Sequence, residues 1–200
     1  MDSQALDRLA IRELVENWVL WRDAGDWERF ATVWHEDGVM MATWFQGPAK
    51  DFIRVTQEGW ARGVSILHFL GGTSIDLVAN RAIVQTKMTI SQRGNVQDVP
   101  CDVVCTGRFY DFVEKRNERW GLVLRQPIYE KDRVDPIDPM ARIELDQQAL
   151  AKFPKGYRHL AYIQTQIGYN VKLDMPQLIG PEVERLYERG RTWLAGGRLQ

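Results

Sequence analysis

Apolar and polar positions repeat with two different periods along this chain, helical up to about residue 62 and strand-like from 65 to 134. Within residues 3–24, Leu6, Leu9, Ala10, Leu14, Trp18 and Leu20 fall near helical spacing and predict a long amphipathic helix with those side chains inward. Gly25 is placed to end it. Asp26 then caps a second helix, DWERFATVWHEDG, which closes at Asp37 and Gly38. Residues 39–45, VMMATWF, read as a strand, and Pro48 opens a third helix that runs to Arg62.

After Gly63 the pattern predicts four strands, at 65–79, 81–94, 96–115 and 119–134. Asn80-Arg81, Arg93-Gly94-Asn95 and Lys115-Arg116-Asn117 supply the turns, and Gly71-Gly72 marks a strand bend. Helices followed by successive antiparallel strands give an α+β class. A curved antiparallel sheet wrapped around the N-terminal helices makes a cone with an internal pocket. The stretch DPIDPM, 135–140, divides this cone domain, 1–134, from a C-terminal helical extension, 135–200, whose helices lie in 141–200. The extension is expected to pack over the pocket mouth or on a neighbouring subunit. The strand 96–115 carries Val103, Cys105, Gly107 and Phe109 on one face and Val104, Thr106, Arg108 and Tyr110 on the other. With apolar groups on both faces, the outer one needs a cover, either a second copy or the extension.

Composition narrows the function. The 200 residues are 44% hydrophobic, enough for one core, with 26 basic against 27 acidic side chains. No basic run interleaved with aromatics points to nucleic acid, and no apolar run nears the roughly 18 residues of a membrane helix. The start, MDSQALDRLA, has no apolar signal core, so a cytoplasmic protein is expected. Cys101 and Cys105, four apart in one strand, are too distant to bridge and read as buried thiols. No HExxH, CxxC, GxSxG or Gly-rich phosphate loop is present. Three histidines are few for a metal site, whereas eight tryptophans suit a pocket for a flat or hydrophobic ligand as well as a core.

The chemistry-bearing residues stand out against apolar surroundings. Val15, Val19 and Asp23 share one helix face, which turns the carboxylate inward, where it needs a partner. His68 interrupts the apolar strand ILHFLGG. An aspartate on one ring nitrogen would orient the imidazole and make the other nitrogen a base, so Asp23 and His68 make sense as a dyad. In the last strand Val123, Arg125, Pro127 and Tyr129 share a face by alternation, opposite Trp120, Leu122, Leu124, Gln126 and Ile128. Arg125 either holds a structural salt bridge or binds a leaving oxygen. Tyr110 and Tyr129 are candidates to donate a proton or line the cavity. Trp21, Arg22, Trp44 and Trp60 are candidates for the pocket wall or the core. His35 reads as a solvated surface residue and His159 as surface or interface.

The opening LDRLAIRELVENWVLWRDAGDWERFATVWHEDGV, the histidine of ILHFLGG and the final RNERWGLVLRQ resemble SnoaL-like members of the nuclear transport factor 2-like superfamily over about residues 5–133. Within it the aspartate and histidine resemble the dyad of scytalone dehydratase, hexachlorocyclohexane dehydrochlorinase and bile acid 7α-dehydratase. Arg125 falls where the last two place a catalytic arginine. Scytalone dehydratase has a second histidine and tyrosines near its first helix; this chain has tryptophans there. The resemblance implies a lyase without cofactor or metal, in which His68 moves protons, Asp23 orients it, and Arg125 with Tyr129 steadies an oxygen. It implies dehydration-type elimination, or loss of a fragment such as formaldehyde, on a bulky aromatic substrate. It also implies a homo-oligomer, trimer or dimer. The same superfamily contains ligand-binding or accessory proteins, isomerases and hydrolases, so those readings stand beside the lyase.

Overall fold

The computed structural model describes residues 3–199. Met1, Asp2 and Gln200, which fall within the segments read above, lie outside the described residues. Helices α1 (Ser3–Ala24), α2 (Trp27–Thr32) and α3 (Ala49–Ala61) come first, with strands β1 (Trp34–Met41) and β2 (Gln46–Pro48) set between α2 and α3. Four long strands follow: β3 (Ile66–Val78), β4 (Arg81–Val96), β5 (Val99–Arg116) and β6 (Arg119–Pro136). The chain ends with α4 (Gln147–Leu150), α5 (Arg158–Gln166) and α6 (Pro181–Leu194). One curved, open sheet takes the order β2-β1-β6-β5-β4-β3. The α+β class holds, but the sheet is mixed, because β1 runs parallel to β6. β1 arrives from a helix and not from a hairpin, so no tight turn forces it antiparallel.

Several local patterns resolve differently from the expectation. In α1 the buried residues are Ile11, Val15, Trp18, Val19 and Arg22, while Leu6, Leu9, Ala10 and Leu20 are exposed. Both stripes have helical spacing, and the sheet takes the one bearing the β-branched residues and Trp18. Helix α2 stops at Thr32, and WHEDG begins β1 instead. Trp34 pairs with Leu122 and the ladder resumes at Val39 with Leu124, leaving Glu36 and Asp37 bulged outward. β1 ends at Met41, where the Ala42 N–H donates to Phe45 O at 2.7 Å and turns the chain into β2.

The hairpin turns also move. β4 continues through Arg93-Gly94-Asn95 to Val96, and the turn is Gln97-Asp98, both left-handed with φ of 49° and 65°. Gly94 serves close approach: a Cβ there would sit 2.7 Å from Ile163 of α5. Asn117-Glu118 makes the last turn in the same left-handed manner, with φ of 49° and 58°. Glycine content marks such turns in a sequence, and these two contain none. The ladder between β3 and β4 does shift between Leu70 and Thr73, as the Gly71-Gly72 bend requires.

β6 contains the decisive irregularity. Its pairing with β5 steps from Phe112–Leu124 to Val113–Leu122, so Val123 is left over. The bulge swaps faces: Trp120 and Leu122 join the inner core with Tyr129, while Val123, Leu124 and Ile128 point to the outer cluster. The expected grouping of Val123 with Arg125 therefore fails.

The inner core packs α1, α3 and α5 against one face of the sheet. The outer face is covered by α6, whose Val183, Leu186 and Trp193 bury Ile83, Tyr110, Phe112 and Ile128. Tyr110 thus lies under α6 and not in a cavity. The apolar outer groups around it are covered within one chain, so they furnish no argument for a homotrimer or homodimer. Among the described residues no helix is long and apolar enough to cross a membrane. Cys101 and Cys105 are buried free thiols.

α6 comes so close to β5 that a Cβ on Gly190 would lie 1.9 Å from the Tyr110 hydroxyl oxygen. Gly190→Val should therefore lift α6 from the sheet and lower stability by about 2–3 kcal/mol, an overpacking cost. Urea denaturation followed by tryptophan fluorescence measures this, with wild-type stability as the contrary result.

Candidate active site

The last turn of α1 brings Asp23 against the start of β3. β3 is an edge strand, so its outward N–H groups lack a ladder partner. The Asp23 carboxylate supplies one: the His68 backbone N–H donates to Oδ2 at 2.5 Å, and His68 Nδ1 lies 2.9 Å from Oδ1. Arg22 Nη1 donates to Asp23 Oδ1 at 3.0 Å and also to the Ile66 carbonyl oxygen. Two adjacent α1 residues are thereby tied to both backbone and side chain of β3. The ring stands edge-on to Trp18, with centroids 5.4 Å apart, and near Phe109 at 6.0 Å.

These contacts set the charges. Burial raises the Asp23 carboxyl, but hydrogen bonding to His68 and the charges of His68 and Arg22 outweigh it and hold the group below the usual carboxylate range. Burial lowers His68, and Arg22 and Arg125 push the same way against the pull of Asp23. The imidazole is therefore neutral at pH 7, with Nδ1–H donated to Asp23 and the lone pair on Nε2. Asp23 and His68 are brought together as expected.

Arg125 is fully buried and donates to Asp111 through Nε at 2.8 Å and Nη2 at 2.7 Å. Its guanidinium lies 4.2 Å from the Trp18 ring centre and 3.9 Å from that of Phe109. Of the two roles considered, the salt bridge is present. Arg125 does not line the cavity, yet its Nη1 has no hydrogen-bond partner among the described residues.

The cavity before His68 is small, about 30 Å³. That is room for no more than a few waters. Its wall includes Trp18, Arg22, Trp44, Phe109 and Tyr129. Burial pushes the Tyr129 phenol well up, so it stays protonated. Of the sequence candidates, Arg22, Trp44, His68 and Tyr129 reach the cavity, and Asp23 stands behind His68. Trp21 does not: it packs beside Leu14 and Trp120 on another side of α1. Trp60 is half exposed and meets Trp27 edge-on at 6.1 Å. Neither indole reaches the cavity wall.

His35 is buried, not solvated, because β1 carries it inward: its Nε2 lies 2.8 Å from the Glu114 carbonyl oxygen and its Nδ1 3.2 Å from Arg119. His159 is partly exposed and its Nδ1 lies 2.9 Å from Asp132.

Sequence reasoning singled out none of the side chains that roof the cavity. Thr43 donates to Gln164 Oε1 at 2.6 Å, and Gln164 Nε2 donates to Gln92 at 3.0 Å. Gln164 and Leu160 of α5 thus close the cavity. No local signal marks a glutamine so far along the chain. Trp18 was more legible, since it lies on the helix face that carries Val15 and Asp23.

Comparison with known proteins agrees with this architecture. A family model described as SnoaL-like domain matches residues 3–126. A PEP2-like protein of Fusarium vanettenii is 37% identical over 210 residues, covering 100% of this chain and 90% of that protein. Pea pathogenicity protein 2 of the same fungus is 36% identical with the same coverage. Among solved structures, a provisionally named scytalone dehydratase of Novosphingobium aromaticivorans is 21% identical, with TM-score 0.56, over 72% of this chain and 99% of that one. A hexachlorocyclohexane dehydrochlorinase is 10% identical, with TM-score 0.58, over 72% of this chain and 97% of that one. At such identities the structural likeness is one of fold. The family model spans more than half of the chain and the fold agrees with it: the chain belongs to the SnoaL-like domain family of the nuclear transport factor 2-like superfamily.

Proposed function

We propose that this protein is a cofactor-independent lyase that performs a dehydration-type elimination on an aromatic substrate. The observation that carries the reading is the Asp23–His68 pair at 2.9 Å, with the neutral ring on the wall of an apolar cavity. Nε2 takes a proton from the carbon next to the leaving group, and the C–H electrons become the new double bond. The imidazolium so formed is stabilised by Asp23. It returns the proton to the departing hydroxyl, which leaves as water. Tyr129, protonated at neutral pH, donates a hydrogen bond to a substrate oxygen. Arg125 acts through its charge, which adds to the effect of burial in keeping His68 in the base form. The dehydrochlorinase and the provisionally named dehydratase that share the fold support an elimination as the reaction class.

His68→Ala should lower kcat/KM by roughly 10²–10⁴-fold against a panel of aryl alcohols and diols. Asp23→Asn should act on a similar scale, because the amide NH₂ makes Nδ1 an acceptor and moves the ring proton to Nε2. Product mass identifies the reaction: one water lighter for dehydration, a carbon fragment lighter for deformylation, unchanged for an isomerase. Wild-type turnover in both variants would sink the dyad. Turnover should also survive dialysis against a chelator.

The pH profile follows from the lowered His68 pKa. Turnover needs neutral His68, so it should hold through pH 6.5 and fall only as pH drops through the folded pKa, which lies below 6.5. Asp23→Asn should move that limb further down, since Asp23 raises the ring's pKa. An acid limb above pH 6.5 would contradict the assignment.

A further inference from the structure

The inner cavity is smaller than any aromatic ligand, whereas even benzene occupies an engineered cavity of about 150 Å³. A second, open recess of about 600 Å³ is lined by Arg62, Val64, Ser65, Arg93, Gln166 and Tyr169 among others. The two are neighbours along the same segments. Val64 and Ser65 face the outer groove where Ile66 and His68 face the inner cavity, and Gln166 faces the groove where Gln164 roofs the cavity. Tyr169 stands between them. Its ring lies 4.9 Å from that of Trp44, an inner-wall residue, and it is close enough to Arg22 to influence that guanidinium.

The groove's charge is one-sided. No carboxylate is among its lining residues. Arg93 is neutralised by Asp102, which accepts from its Nε at 2.9 Å and its Nη2 at 2.8 Å. The exposed Arg62 side chain has no hydrogen bond or ion pair with another described residue.

We propose that the outer groove is the second half of the ligand site, and that it selects an aromatic acid whose carboxylate meets Arg62. The ring passes Tyr169 toward His68, and the Trp44–Tyr169 contact and the Gln164 roof give way to admit it. Only the placing of a reacting end at His68 rests on the lyase reading; recognition of the acid does not.

The test is calorimetric titration of the full chain with 4-(2-naphthyl)butanoate and with its primary amide. The acid should bind about three- to fivefold more tightly, the size an exposed ion pair gives, and the preference should shrink at high salt. Arg62→Gln should abolish the preference and leave amide binding unchanged. His68→Ala should preserve it. Equal affinities in the wild type, absence of binding by both probes, or a preference that survives Arg62→Gln would overturn the proposal. A preserved preference beside a panel without turnover would sink the lyase reading and leave the groove assignment standing.

Discussion

The arrangement depends on the Asp23 carboxylate and its three donors. A buried carboxylate is stable only when its lone pairs are filled. Here the Arg22 guanidinium, the His68 backbone N–H and the His68 ring N–H fill them. The same contact fastens the end of α1 to an unpaired strand edge, satisfies that edge, and fixes the ring's tautomer. Fold and chemistry are therefore not separable at this point. A group that merely capped the edge would not orient an imidazole, and one that merely oriented the imidazole would leave the edge free.

Around this clamp the cone separates charges into layers. The Asp111–Arg125 pair lies deepest, fully enclosed, with Trp18 and Phe109 against the guanidinium. Such a pair adds little net stability once its desolvation is counted. Toward His68 the Arg125 charge disfavours the imidazolium, adding to the larger effect of burial. Arg22 adds a second such charge. Burial lowers the ring's proton affinity most; of the three charges, Arg22 and the dyad's carboxylate sit on α1 and Arg125 on β6, and only the carboxylate raises it.

The sequence was most informative where a polar residue breaks an apolar pattern. Asp23 in line with two valines and His68 within an apolar strand could be paired on residue chemistry alone, and the α+β order followed from the change of period. It was least informative about direction. Trp21, Trp60 and Tyr110 are as aromatic as Trp18 and Phe109, but only the sheet decides which look inward. The bulge at Val123 reverses a strand's faces, and neither Val123 nor its flanking leucines announce it. The same holds for Gln97-Asp98 and Asn117-Glu118, where a two-residue left-handed turn is imposed by the ladder on either side. Gln164 was illegible because its meaning lies in Thr43, more than a hundred residues earlier.

The cover that α6 provides has a consequence for synthesis. Trp193, Leu186 and Val183 are the residues that seal Tyr110, Phe112 and Ile128, and they are made after every strand of the sheet. While the chain grows from its N-terminus, every strand of the sheet is complete before α6 exists. The nascent cone therefore passes through a stage with its outer apolar surface open to water and to other nascent chains. That stage is aggregation-prone, and it closes only when the segment carrying Gly190 reaches the sheet.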